Sequence, residues 1–292
     1  MNSIIIRHIN FNKDLPEVVS LLKTNLNQNF SVNFFKWKHL ENPAGRSFGL
    51  LATHKDKIIG LRMYMFWEFS NDNIKKLAIR PVDTVVDKNY RGKGLFKKLT
   101  LSGLDMCKDK FDFIFNTPNS NSLPGYLKMG WNRMENSPIL IFGILNPFAK
   151  SLNFKETNLN SLQVDKSYIN CNLIYQTNKT GEFLQWRYRD DKYSTVQFKD
   201  SFMIFTITKL KGFKTIVIYE LLGNSTRFQL LVQAVAKRKN AFFIYYAKNN
   251  EFEMLRCIFS SKRKSSNVVF KNDIGNVQNN LNFSLGDLEA AI

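Results

Sequence analysis

Cysteine is scarce. Cys107, Cys171 and Cys257 are the only three in 292 residues. They are odd in number and far apart, so neither a disulfide framework nor a cysteine-built metal site is expected. Histidine is equally sparse: His8, His39 and His54 show no metal-ligand spacing, and no metal is expected. Long apolar runs are missing as well. Ile139–Leu145 and Phe242–Tyr246 are strand-sized, far short of the roughly 20 residues that cross a bilayer, so no integral membrane segment is expected. The start, Met1-Asn2-Ser3-Ile4-Ile5-Ile6-Arg7, lacks the basic-then-apolar order of a secretory leader, and a cytoplasmic protein is the simple expectation. Acidic residues are few beside basic ones, 24 against 42, which leaves a formal charge of +18. Such an excess either serves solubility or answers an anionic partner.

What the chain has is core material. Hydrophobic residues make up 44% and aromatic residues 14%, with 26 phenylalanines, enough to fill the interior of one large or two medium domains. Residues 3–9 read as a strand. A helix starts at Asp14-Leu15-Pro16-Glu17, and a second covers Asn33–Leu40 and stops before Pro43. Phe48–His54 and Lys57–Phe69 read as strands around a hairpin break at Lys55-Asp56, and Ile74–Val86 as another strand. Then the order alternates: helix Gly92–Cys107, strand Phe111–Phe115, short helix Asn119–Met129 ended by Gly130, strand Ile139–Leu145. This is an α/β fold with a mixed sheet. Residues 146–165 are polar and lose periodicity, as a linker would. After it come a helix at Phe183–Tyr188, strands at Val196–Phe198, Met203–Lys209 and Thr215–Leu222, a helix at Thr226–Arg238, a strand at Ala241–Tyr246 and a helix at Glu251–Phe259. Phe35-Lys36-Trp37-Lys38-His39 and Leu184-Gln185-Trp186-Arg187-Tyr188 each precede two strands, which points to an internal duplication. The expected domains are 1–145 and 166–292.

The sharpest motif is Thr84-Val85-Val86-Asp87-Lys88-Asn89-Tyr90-Arg91-Gly92-Lys93-Gly94-Leu95-Phe96. A β-branched strand enters a turn with two glycines, and a helix begins. Successive N–H groups at a helix start favour a pyrophosphate, and Arg91, Lys93, Lys97 and Lys98 add charge-assisted contacts. A basic surface turn shaped by glycines is the structural alternative. The spacing is neither that of a Walker loop nor that of a dinucleotide fingerprint.

Here the chain resembles the GNAT superfamily of acyl-coenzyme A N-acyltransferases, whose signature is Arg/Gln-x-x-Gly-x-Gly/Ala. Arg91 and Gly94 match; Phe96 stands where the family has Gly or Ala, as it does in tandem proteins of the enhanced-intracellular-survival type. Asn119-x-x-Ser122-x-x-x-Tyr126-Leu127-Lys128-Met129-Gly130-Trp131 resembles a second family segment at the expected distance. The resemblance implies a GNAT-type mixed sheet in residues 1–145 and, since 166–292 carry no phosphate loop, a degenerate second GNAT-like domain. The wider sequence is similar to GNAT proteins of bacterial surface-polysaccharide clusters at Trp37-Lys38-His39-Leu40-Glu41-Asn42-Pro43, Val82-Asp83-Thr84, Phe115-Asn116-Thr117-Pro118-Asn119 and Gly286-Asp287-Leu288-Glu289.

The resemblance implies direct acyl transfer from acetyl-CoA to an amine in a ternary complex. Tyr126 becomes the candidate acid for the leaving thiolate, with a packing tyrosine as the alternative. Asp83 becomes the candidate base, with an ion pair to Arg80 as its structural alternative. The donor would lie against Val85 and Val86, its pyrophosphate on Arg91, Gly92, Lys93, Gly94, Leu95 and Phe96, and its pantetheine near Asn119 and Ser122, unless those two only order their helix. Trp37, His39 and Asp287 are candidate acceptor contacts, and anchoring into the core is the rival role for Trp37. Glu289 and the Ile292 carboxylate are further candidates from the chain end. The implied acceptor is an amino sugar, nucleotide-linked; the basic surface argues against polycationic drugs. A non-catalytic acyl-CoA sensor and a nucleic-acid binder are the rival classes. For the latter there is no zinc finger, helix-turn-helix signal or basic–aromatic array, and no nucleic-acid partner is expected.

Overall fold

The computed structural model describes residues 4–71, 74–150, 152–159, 174–248, 254–263, 267–271 and 280–288. In chain order the first elements are β1 (Ile5–His8), α1 (Leu15–Asn25), α2 (Val32–Leu40), β2 (Phe48–His54), β3 (Lys57–Asn71), β4 (Ile74–Val86), α3 (Leu95–Met106), β5 (Phe113–Asn116), α4 (Leu123–Lys128) and β6 (Asn132–Arg133). There follow β7 (Ile139–Ile144), β8 (Lys155–Glu156), β9 (Tyr175–Thr177), α5 (Gly181–Arg187), β10 (Ser194–Phe198), β11 (Ser201–Leu210), β12 (Phe213–Gly223), α6 (Phe228–Lys239), β13 (Phe243–Lys248), β14 (Phe259–Arg263), β15 (Val269–Lys271), β16 (Leu281–Asn282) and α7 (Leu285–Leu288). The chain divides into two compact units. One comprises Met1–Glu68, Lys76–Arg133 and Val269–Ile274; the other comprises Phe69–Lys75, Met134–Val268 and Gly275–Ile292.

The sheet of the first unit has the order β1-β2-β3-β4-β5-β15-β6. Only Ala78↔Phe113 and Ile79↔Ile114 register between the parallel strands β4 and β5. Leu15, Val18 and Leu22 of α1 and Phe35 of α2 pack on Leu51, Ile58, Leu61, Met63 and Val85. On the other face, Leu95 and Leu99 of α3 meet Leu50, Ala52 and Ile59, and Tyr126 of α4 meets Tyr64, Ile79 and Ile114. A bulge explains why Ile58 shares a face with Leu61 and Met63. Thr53 pairs with Ile58 but Ala52 with Gly60, so one extra residue on β3 inverts the alternation. It also places Arg62 and Tyr64 on the α3–α4 face. Each fully buried large apolar side chain contributes roughly 1.5–3 kcal/mol.

The second sheet runs β14-β7-β13-β12-β11-β10-β8, with β12 and β13 parallel. Its order repeats the first: a helix capped by a hydroxyl (Ser31 for α2, Thr180 for α5), three strands, a helix and a parallel strand. The β2–β3 hairpin turns through the left-handed residues Lys55–Asp56 and the β11–β12 hairpin through Lys211–Gly212, as the twist of paired strands demands. At the start of α6, Asn224 accepts from Thr226 N, and no basic glycine pair stands there.

Three assignments differ from the sequence reading. Ile139–Ile144, read as part of the first domain, lies between β13 and β14 of the second sheet, and Val269–Lys271 returns to the first sheet. Alternation reveals a strand but not which sheet it joins. Within the expected linker, Lys155–Glu156 pairs with β10; residues 151 and 160–165 lie outside the described residues. Of the expected helix Glu251–Phe259, residues 251–253 lie outside the description, Met254–Cys257 have no regular structure, and Phe259 begins β14. Side chains take the backbone bonds there: Leu255 N donates to the Tyr246 hydroxyl at 3.1 Å and Arg256 N to Gln229 Oε1 at 2.6 Å.

The Tyr64 hydroxyl reaches the Leu99 and Thr100 carbonyls at 2.6 and 2.9 Å, and Gly103 one turn on leaves room for its ring. A Cβ at Gly103 would overlap that ring. Gly103→Ala is expected to destabilise by about 1–3 kcal/mol, read from denaturant midpoints with unchanged slope.

Candidate active site

β4 leaves the sheet into a single tight turn at Lys88–Tyr90, where Asp87 Oδ1 accepts from Asn89 N at 3.0 Å. Arg91 Nε donates to the Val86 carbonyl at 3.2 Å, which folds the turn back on the strand. Gly92 and Gly94 both have left-handed φ, +77° and +73°. A Cβ at either would meet open space, so backbone conformation, not crowding, calls for glycine. Gly94 is the N-cap of the 12-residue α3 and offers no side chain to its first N–H groups. Those donors, with the positive end of the helix dipole, face outward beside exposed Lys93, Lys97 and Lys98. This arrangement fits a pyrophosphate. Leu95 is buried in the sheet, and Lys93 lies 4.9 Å over the Tyr90 ring.

Where β4 and β5 part beyond Ile79 and Ile114, polar side chains fill the gap. Asn116 Nδ2 donates to the Tyr126 hydroxyl at 2.5 Å, and Arg62 Nη2 donates to the same oxygen at 2.5 Å. An oxygen that accepts two hydrogen bonds still has its own proton to give. Arg62 is 1% exposed, and its guanidinium lies 5.2–5.9 Å from the Tyr64, Phe96 and Tyr126 ring centres. Arg80 of β4 is a second buried arginine: it donates to Thr117 and lies over Trp67 and Phe115. Phe96, the departure from the family signature, therefore has a definite place: it meets Tyr126 edge-on at 5.8 Å and lies under Arg62. Asn119 Oδ1 accepts from Ser122 N at 2.9 Å and Ser122 Oγ at 3.0 Å, so both residues order the approach to α4.

Asp83 stands on the α2 side of β4. Its φ of +45° is left-handed in the middle of a strand, a conformation that non-glycine residues hold only where their surroundings impose it. The break reverses the alternation, since Val82 and Val85 contact the same α1–α2 cluster. Asp83 does not pair with Arg80 as the structural alternative had it. Lys38 Nζ lies 2.8 Å from Oδ1, and His39 Nε2 lies 2.8 Å from Oδ2. Burial alone would raise the Asp83 carboxyl, but the Lys38 charge and the His39 hydrogen bond hold it far below the usual carboxylate range. Burial lowers the His39 imidazole despite Asp83, so the ring is neutral near pH 7. An ionised carboxylate only accepts, so Nε2 carries the ring proton and Nδ1 accepts from Ser47 Oγ at 2.9 Å. The result is a closed Ser47–His39–Asp83–Lys38 array. It holds Asp83 as a fixed anion and a weak proton acceptor.

Trp37 is buried, 5.2 Å from the Phe34 ring, and His39 is fully buried; the core-anchoring role for Trp37 describes both better than direct contact with a solvated acceptor. Asp287 is 1% exposed in the second unit, where it accepts from Thr177 Oγ1 at 2.8 Å and lies 3.5 Å from Lys179. Glu289 and Ile292 lie outside the described residues. Sequence reasoning missed Arg62, Asn116, Lys38 and Ser47 as partners. The signal for Arg62 was a cation amid the apolar run of β3, and for Lys38 its place beside Trp37 on a helix that must bury one face. Among the described residues, no group of three or more His, Cys, Asp or Glu could hold a metal ion. None of the described helices is long and apolar enough to cross a membrane.

The sequence matches no family model and no curated protein. Its fold is nonetheless similar to solved ones. A GCN5-related N-acetyltransferase from Anabaena variabilis aligns with a TM-score of 0.72 at 11% identity, covering 92% of this chain and 72% of that one. One from Kribbella flavida aligns at 0.68 and 11% identity, covering 92% and 71%. The GCN5-related glucosamine N-acetyltransferase region of a fungal multi-domain β-N-acetylglucosaminidase aligns at 0.56 and 12% identity, covering 93% of this chain and 38% of that one. The chain has the fold of the GCN5-related N-acetyltransferases.

Asp83→Asn removes the carboxylate from the buried Lys38–Asp83 ion pair and is expected to cost about 3–5 kcal/mol, read from denaturant unfolding. The neutral His39 sets a pH dependence. Below about pH 6.5 the unfolded chain takes up a proton that the folded His39 refuses, so stability falls as pH drops through that range. In melting curves from pH 8 to 5, this part of the loss should vanish in a folded His39→Gln variant.

Proposed function

We propose that this chain is an acetyl-CoA-dependent N-acetyltransferase acting on the amine of an amino sugar, carried on a nucleotide, in surface-polysaccharide synthesis. The observation that carries the donor half is the uncapped start of α3 at Gly94, opening beside Lys93, Lys97 and Lys98. Arg91, Gly92, Lys93, Gly94, Leu95 and Phe96 would hold the pyrophosphate, and Val85 and Val86 the thioester arm along β4. Placing donor and amine together supplies much of the acceleration. Tyr126 would protonate the leaving sulfur, a phenol and a thiol having similar intrinsic acidity. Asp83, ionised and fixed, would align the amine or a water that carries its proton away.

For the acceptor, the formal charge of +18 suits two anionic substrates. The fungal neighbour's glucosamine specificity lends the sugar reading a parallel on the same fold. The segments that carry the resemblance to polysaccharide-cluster proteins, Trp37–Pro43 and Val82–Thr84, hold Lys38, His39 and Asp83, which meet in one array. A cytoplasmic site of action follows, where acetyl-CoA and nucleotide sugars are made.

Calorimetry with acetyl-CoA tests the reading, beside a Gly94→Glu variant. Glutamate adds a negative charge at the helix start and a side chain where φ is +73°. Wild type should bind on the order of micromolar, and the folded variant about 100-fold or more weakly, near 2.7 kcal/mol. Equal binding by the two would sink the assignment of the loop. Thiol release with UDP-glucosamine, absent with free aminoglycosides, would support the sugar acceptor.

A further inference from the structure

Arg62 is a buried cation whose described contacts include no carboxylate. Its Nη2 donates to Tyr126 at 2.5 Å, its plane lies among three rings, and its Nε has no hydrogen-bond partner. An unpaired charge 1% exposed is costly to bury. An apolar side chain of the same volume would fill the space without that penalty. The cation donates to the Tyr126 oxygen and also acts on the Tyr64 hydroxyl, and Asn116 aims a second donor at the Tyr126 oxygen. Two donors converging on a phenol oxygen favour negative charge there and fix the direction of its O–H. Rings on several sides of the guanidinium weaken solvent screening, so the attraction grows as charge develops on the oxygen.

We infer that Arg62 is a positioning residue that makes Tyr126 the acid of the transfer step, by stabilising the oxygen once its proton has gone. This rests on the reading of the chain as an acetyltransferase. In the step, the acceptor nitrogen forms its bond to the acetyl carbon and the carbon–sulfur bond breaks. The sulfur takes the electron pair and the Tyr126 proton. The nitrogen loses its extra proton to water, and Tyr126, a phenolate held by Arg62 and Asn116, is reprotonated from solvent. Phe96 then has a purpose that Gly or Ala would not serve. It places a ring face under the guanidinium and an edge on Tyr126, linking the phosphate turn to the acid.

The test is a double-mutant cycle between Arg62→Met and Tyr126→Phe, with Arg62→Lys as the conservative variant. The readouts are calorimetric binding of acetyl-CoA and thiol release from it, with UDP-glucosamine, with glucosamine and with water alone. Melting curves check the folding of each variant. Expected are unchanged acetyl-CoA affinity, a kcat lower by roughly 10–100-fold in Arg62→Met, and partial recovery in Arg62→Lys. In the Tyr126→Phe background, Arg62→Met should cost nothing further, because the atom it serves is gone. A structural role would lower kcat equally in both backgrounds and would not recover with lysine; that result overturns the proposal. Should Arg62→Met fail to fold, the Lys variant in the two backgrounds decides the same question. Wild type that binds acetyl-CoA yet releases no thiol above buffer overturns the proposal and the acid role together. Failure to bind acetyl-CoA overturns the reading of the loop beneath them.

Discussion

The parting of β4 from β5 governs the first unit. Two parallel strands that stay in register satisfy each other's backbone and leave no room between them; here the register holds only through Ile79 and Ile114. Past that point the space must be filled by groups that pay for their burial with hydrogen bonds or rings. Arg62 of β3 and Asn116 of β5 meet the Tyr126 hydroxyl of α4, and Arg80 of β4 meets Thr117 just past β5. The same divergence frees the end of β4 to turn at Lys88–Tyr90 and present the start of α3 outward. The glycine turn before α3 and the buried phenol of Tyr126 thus both lie at one break in pairing.

A second break lies on the opposite side of β4. The left-handed backbone at Asp83 re-aims a carboxylate toward α2, where Lys38 and His39 are waiting. Electrostatics and strain support each other here. The ion pair compensates the unfavourable φ, and the φ delivers the carboxylate to the ion pair. With Ser47 closing the array, no member has a loose hydrogen bond that would let it titrate easily, which is the property of a fixed dipole and not of a strong base.

What was legible in the sequence was local. The turn at Arg91–Gly94 shows itself because glycine spacing, β-branched residues before it and cations after it lie within the fifteen consecutive residues Thr84–Lys98. The strands and helices up to Gly130 show themselves by period. Partners were not legible, since Arg62 meets Tyr126 across 64 positions and Lys38 meets Asp83 across 45. Pairing Asp83 with Arg80 assumed contact along one strand, and the left-handed residue defeats that assumption. Met254–Cys257 misled for a different reason: helical spacing of apolar residues was present, but Tyr246 and Gln229 offered the backbone better partners.

The duplication suggested by two tryptophans reaches further than the order of elements. In the first unit, the residue two after Trp37 is His39, hydrogen-bonded to an acid on the third strand after its helix, Asp83. In the second unit, the residue two after Trp186 is Tyr188, hydrogen-bonded to Glu220, again on the third strand after its helix. Both acids sit at irregularities. Asp83 is left-handed, and Glu220 flanks the place where Ile204↔Glu220 is followed by Phe205↔Ile218, which leaves Tyr219 as the extra residue. Their electrostatics have diverged. Burial pushes the Glu220 carboxyl up more than Lys179 at 2.5 Å pulls it down, with Asp287 adding repulsion, whereas Asp83 stays firmly ionised. The helix–acid contact is common to both units: it holds a fixed anion in the unit with the Gly92–Gly94 turn and lies in a crowded carboxylate pair in the unit without one. The two units thus share the contact and differ in its charge state, firmly ionised at Asp83 and pushed toward the neutral form at Glu220.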